Sequence, residues 1–95
     1  MKFQVDVRIR DRAAATPRLA DHLAYLNEHF EAGDFLMFGA YAEGAGGSLI
    51  VEAPSREALD AVLDADPLRG GRCAEWSVTE FKVGRINAKA LEPEV

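Results

Sequence analysis

From Lys2 to Ile9 apolar and polar residues alternate without a break. Phe3, Val5, Val7 and Ile9 point one way and Lys2, Gln4, Asp6 and Arg8 the other, the pattern of a half-buried strand. Asp11 to Ala15 reads as a short connection, after which the period changes. Leu19, Leu23, Leu26 and Phe30 recur at spacings of four, three and four, which predicts one apolar stripe on a helix from Thr16 to Gly33. Thr16 suits the N-cap, Pro17 the first helical position and Gly33 the stop. His22 and His29 lie seven residues apart on the shoulder of that stripe.

Asp34 to Tyr41 is too short for a helix of its own and rich in aromatics, so it predicts a second strand. Phe35, Met37 and Tyr41 fall on one face and Leu36 and Phe38 on the other, so both faces need cover. Gly39 marks a bulge or a close backbone approach. The glycines of Glu43–Gly47 form a turn, and Ser48 to Ala53 returns as a third strand, closing a hairpin. Ser55 caps a second helix with Ala58, Leu59, Val62 and Leu63 inward, and Pro67 ends it. Leu68 to Arg72 reads as a flexible loop around Gly70-Gly71. Cys73 to Val83 is a fourth strand, with Trp76 and Val78 on one side and Phe81 and Val83 on the other.

This order predicts an α+β chain of ferredoxin-like βαββαβ topology, a four-stranded antiparallel sheet with two helices on one face. Residues 1–84 make the domain and 85–95 a C-terminal tail. Helices cover only one side of such a sheet, yet strands two and four are apolar on both. A second copy against the open side predicts a homodimer with twofold symmetry.

Composition narrows the function classes. Ninety-five residues allow one domain with a modest core. A net charge of −5 argues against nucleic acid as the main ligand. Lys2, Arg8, Arg10, Arg12 and Arg18 nevertheless crowd the first fifth of the chain, which suits either a solvated basic face or a small anionic ligand. Cys73 is the single cysteine, so neither an intrachain disulfide nor a cysteine-cluster zinc site is expected. The start lacks the apolar core of a signal peptide, and no stretch approaches the ~20 apolar residues of a membrane span. A cytoplasmic protein with no membrane contact is the expectation.

Several short motifs then fall in one order: His22-Leu23 with Tyr25-Leu26, Gly33 and Gly39, Glu57-Ala58, Asp66-Pro67, and Phe81. In that order, from about Phe3 to Val83, the chain resembles the YciI-like family, also called YCII-related domains. The resemblance implies a ferredoxin-like protein of the dimeric α/β-barrel class. It implies a site containing a histidine and an aspartate, which map to His22 and Asp66. One family member is a dehydrochlorinase acting on a chlorinated hydroxyhydroquinone. The chain departs from the family where Gly39-Ala40 stands for a frequent Gly-Pro and Glu80-Phe81 for a frequent Pro-Phe.

His22 can give or take a proton at neutral pH. Asp66 is expected at the negative end of the second helix, close in sequence to Asp60 and Asp64, where a carboxylate is disfavoured. If the two meet, the aspartate orients the imidazole for acid–base chemistry such as elimination or isomerisation, with no bound cofactor. Neighbouring packed helices lie ~8–10 Å apart, so contact within one chain requires the loop after Pro67 to fold back, or a partner subunit. Arg69 and Arg72 flank Gly70-Gly71 and are candidates to clamp a carboxylate or phenolate. A metal is not expected, because His22 and His29 are two helical turns apart. The alternative function is a non-catalytic dimeric module that binds a small molecule or a protein.

Overall fold

The computed structural model describes residues 1–94; Val95, the last residue of the expected tail, lies outside them. The chain forms strand β1 (Lys2–Ile9), a single helical turn α1 (Arg12–Ala15), a 3-10 turn (Thr16–Arg18) and the long helix α2 (Leu19–Ala32). Strands β2 (Phe35–Ala40) and β3 (Gly46–Glu52) follow, then helix α3 (Arg56–Asp64), a second short helix α4 (Pro67–Gly70) and strand β4 (Ala74–Phe81). The sheet order is β2-β3-β1-β4, with each neighbouring pair antiparallel. This is the ferredoxin-like arrangement. Beyond β4 the described residues, up to Glu94, are exposed and hold one 3-10 turn, Ala88–Leu91.

The alternation in β1 sets the layers. Phe3, Val5 and Val7 are buried and stand beside Val51 and Leu49 of β3, while Lys2, Gln4, Asp6 and Arg8 face away from the helices. Leu59 and Leu63 of α3 and Tyr25 and Leu26 of α2 close the core from above. Each such apolar side chain contributes about 1.5–3 kcal/mol when fully buried.

Two local expectations are corrected, at the start of the first helix and in β2. The helical run begins at Arg12, because Asp11 accepts a hydrogen bond from the Ala14 N–H and caps α1; Thr16 instead donates its hydroxyl to the Arg12 carbonyl. Asp11 followed by Arg12 and three alanines is a helix-start signal, and the proline at 17 does not break the run because it falls in a 3-10 turn. The irregularity in β2 lies between Phe35 and Met37, not at Gly39, where a Cβ would meet nothing within 4 Å. That shift turns both Phe35 and Phe38 toward the helices and leaves Leu36 and Met37 exposed. β4 carries no register shift: Trp76 and Val78 pack on the core and Phe81 falls on the open face.

The stretch after Asp66 is helical rather than a loop. Asp66 is the N-cap of α4, Pro67 holds its first position, and Leu68 is buried beneath α2. A proline at a first helical position loses nothing, since that N–H has no intrahelical partner.

Candidate active site

Helix α2 does not present the expected stripe to the sheet. Tyr25 and Leu26 are buried and His22 and His29 half-buried, whereas Leu19, Leu23 and Phe30 are 40%, 53% and 46% exposed. The helix is rotated so that the histidines turn inward. Each inward polar group finds a partner, which is what makes the rotation affordable. His22 meets Asp66, His29 meets Asp34 at 3.0 Å, and the Tyr25 hydroxyl donates to the Val62 carbonyl at 2.8 Å. The rings also pack on one another: His29 stacks on Phe35 at 4.7 Å and meets Tyr25 edge-on at 4.8 Å.

His22 Nδ1 lies 2.8 Å from Asp66 Oδ1, within one chain. The contact exists because α3 ends at Asp64 and the chain turns back into α4 under α2, which returns Asp66 to the level of His22. The Asp66 N–H still donates to the Leu63 carbonyl at the end of α3, at 3.1 Å. The carboxylate sits at the start of α4, where Oδ1 also accepts from the Leu68 N–H at 2.9 Å. A carboxylate only accepts, so in this pair Nδ1 of the neutral imidazole donates, which leaves Nε2 as the basic nitrogen. Nε2 makes no hydrogen bond among the described residues.

His22 lines a cavity of about 370 Å³ between α2 and the sheet. Val7, Leu26, Phe38 and Leu49 form its inner wall, and Leu19 and Leu23, the residues rotated off the core, form its rim. Its far side is the β2–β3 turn. Gly46 and Gly47 are needed there: a Cβ on either would collide with the carbonyl oxygen of Val7 or of Gly39. Gly44 and Gly46 have positive φ angles of 83° and 141°. The turn therefore adds backbone and little side chain, which keeps the volume open. The polar side chains on the lining are His22, Arg12, Thr16 and Ser48.

Tyr25 stands between the two histidine–aspartate pairs. Burial raises the titration of its hydroxyl well above the usual tyrosine range, and the carboxylates of Asp66 and Asp34 add to the effect. The hydroxyl is thus held as a donor to Val62 rather than as a titrating group.

The two arginines expected to clamp a ligand lie elsewhere. The Arg69 guanidinium stacks over Trp76 at 4.0 Å and approaches Asp64 at 3.8 Å, and Arg72 is exposed with a φ of 50°. Neither lines the cavity. Gly70-Gly71 serves a different arginine. Arg18 donates to the Pro67 carbonyl at 3.3 Å and lies across both glycines, where a Cβ on Gly71 would come 2.7 Å from its Nε. Arg18 thus clamps the α4 turn that carries Asp66. Nothing in the local pattern pointed to it, because its partners are 49 residues away or more. His22 and His29 face separate carboxylates, and among the described residues no group of three His, Cys, Asp or Glu side chains has metal-binding geometry.

A ferredoxin-like sheet with an inward histidine on its long helix, paired to an aspartate after α3 and lining a cavity, defines a small α+β protein. The chain belongs to the YCII-related domain family, whose model matches residues 4–82. Among solved structures it is similar to the 5-chloro-2-hydroxyhydroquinone dehydrochlorinase TftG of Burkholderia phenoliruptrix AC1100, in complex with 2,5-dihydroxybenzoquinone. The identity is 24%, the TM-score 0.74, and the match covers 88% of this chain and 96% of that one. It is equally similar in fold to muconolactone isomerase, at 22% identity and a TM-score of 0.74, covering 93% and 97% of the two chains. MtbAldR matches more loosely, with 14% identity, a TM-score of 0.56, and coverage of 95% of this chain and 59% of that one. No curated protein matches. At these identities the structural likenesses establish the ferredoxin-like fold alone. No helix among the described residues is long and apolar enough to cross a membrane.

Proposed function

We propose that this protein is a small acid–base enzyme in which His22 moves a proton and Asp66 orients it. The observation that carries the reading is the imidazole itself: Nδ1 is tied to a buried carboxylate while the ring lines an apolar cavity. An imidazole so held has one tautomer, one orientation and one nitrogen left for substrate. Proton transfer between that nitrogen and a bound molecule balances without a cofactor. The two structural relatives support the class, since a dehydrochlorination removes a proton with a chloride and a lactone isomerisation relocates one. The reaction type is therefore elimination or isomerisation, on a small polar or aromatic molecule that fits about 370 Å³, near the lower end of ligand-site volumes.

The reading includes a second copy of the chain. Met37 and Phe81 are exposed on the sheet face away from the helices, beside half-buried Ile50, and two such faces packed together would cover them. The buried free thiol of Cys73 suits a reducing compartment such as the cytoplasm.

The test is turnover of 5-chloro-2-hydroxyhydroquinone and of muconolactone, followed by NMR in D₂O, for the natural chain and for His22→Ala. The variant should keep its circular dichroism and its oligomeric state and lose turnover and solvent-deuterium incorporation by at least about a hundredfold. Turnover that survives the substitution sinks the proposal in favour of a binding module.

A further inference from the structure

We infer that Arg12 is the anion anchor of the His22 cavity, and that the cavity takes a small organic anion: an apolar ring or chain bearing a carboxylate or phenolate. The inference rests on the acid–base reading of His22 and adds to it the charge of the substrate and the group that recognises it.

The basic residues crowded at the start of the chain part company in three dimensions. Lys2 pairs with Glu52 at 3.3 Å, Arg8 with Glu43 at 2.7 Å and Arg10 with Glu75 at 3.2 Å. Arg18 is taken up by the α4 turn. Arg12 has no carboxylate within 4 Å and no side-chain hydrogen bond among the described residues, and it is the cation on the cavity lining. No aspartate or glutamate lies on that lining. A chain of net charge −5 therefore has a pocket whose charged side chain is an arginine.

The long-range field does not overturn this. Surface charges more than ~8–10 Å away are largely screened at physiological salt, whereas the Arg12 guanidinium, itself exposed at the mouth of the cavity, would meet a bound anion at contact distance. The turn opposite Arg12 also leaves it room. A Cβ on Gly44 would come 4.0 Å from an Arg12 guanidinium nitrogen, so a longer side chain there would crowd the guanidinium. The planar fork of an arginine matches two oxygens of a carboxylate, which fixes orientation as well as position. An anion held at Arg12 would lay its apolar body along Leu19, Leu23 and Phe38, toward His22.

The experiment uses benzoate and its neutral isostere benzamide on the full chain, with binding read from backbone amide shifts and from the His22 ring resonances. Benzoate should perturb the His22 ring and bind about tenfold tighter than benzamide, the size expected of a partly solvated charge-assisted contact. Arg12→Gln should abolish the preference and Arg12→Lys should restore part of it. Equal affinity for the two probes, a preference untouched by Arg12→Gln, or shifts confined to residues outside the cavity would each overturn the inference. These outcomes are separate from the turnover loss in His22→Ala, so the anchor can fail while the acid–base reading stands.

Discussion

His22 Nδ1 and Asp66 Oδ1 stand 2.8 Å apart across 44 residues of chain, and the same oxygen caps α4 through the Leu68 N–H. One carboxylate therefore does two jobs, aligning the imidazole and starting the helix that holds the carboxylate in place. The side chain of Asp66 is 2% exposed and that of His22 17%, so the pair is shielded on one side and open to the cavity on the other.

Asp66→Asn separates those jobs. Asparagine is as good an N-cap as aspartate, so α4 should persist and stability should change by no more than about 1 kcal/mol. The neutral amide no longer demands a donor from Nδ1. Nitrogen-15 spectra of the His22 ring should show a single Nδ1–H tautomer in the natural chain and a mixture in the variant. An unchanged tautomer would show that something other than Asp66 orients the ring.

The phase of α2 can be read from two leucines. Leu26 is 8% exposed and packs in the core, whereas Leu23 is 53% exposed at the cavity rim. Leu26→Ala should cost about 2–4 kcal/mol in urea unfolding, and Leu23→Ala about 0.5 kcal/mol or less. Equal losses would mean that the expected stripe, not the rotated one, faces the sheet.

Arg18 and Gly71 should be energetically coupled. An added Cβ at 71 would come 2.7 Å from Arg18 Nε and 3.2 Å from Cys73 Sγ. Gly71→Ala should destabilise by about 1–2 kcal/mol, and the loss should shrink when Arg18→Ala is present. Additive losses in the double variant would remove the arginine clamp as the reason for that glycine.

Tyr25 gives a pH signature. Burial first, then the Asp66 and Asp34 carboxylates, raise its folded-state titration above the unfolded value of about 10. The folded state holds that proton more tightly. Its contribution is thus complete below about pH 10 and is lost as the pH rises through the folded value. Denaturant midpoints should be level near neutrality and fall above about pH 10. Tyr25→Phe should start lower, having lost the bond to Val62, and fall less steeply. An identical alkaline slope in the variant would assign the loss to other groups.

The strand and helix order, the hairpin, the cap at Ser55 and the stop at Gly33 could all be read from the chain, and the ferredoxin-like topology with them. Each depends on neighbours within a few residues, where period and turn chemistry act directly. His22 and Asp66 came as candidates from the resemblance to the YciI-like family, not from local period or turn chemistry. Their contact could not be read from the chain, nor could the rotation of α2, the displacement of Arg69 onto Trp76, or the presence of Arg12 in the cavity. Local pattern counts leucines as the buried face. In the folded chain an inward histidine is favoured once a carboxylate 44 residues away accepts from it, and the leucines it displaces become the wall of a pocket. That balance between satisfied polar groups and buried apolar area exists only when distant segments have met.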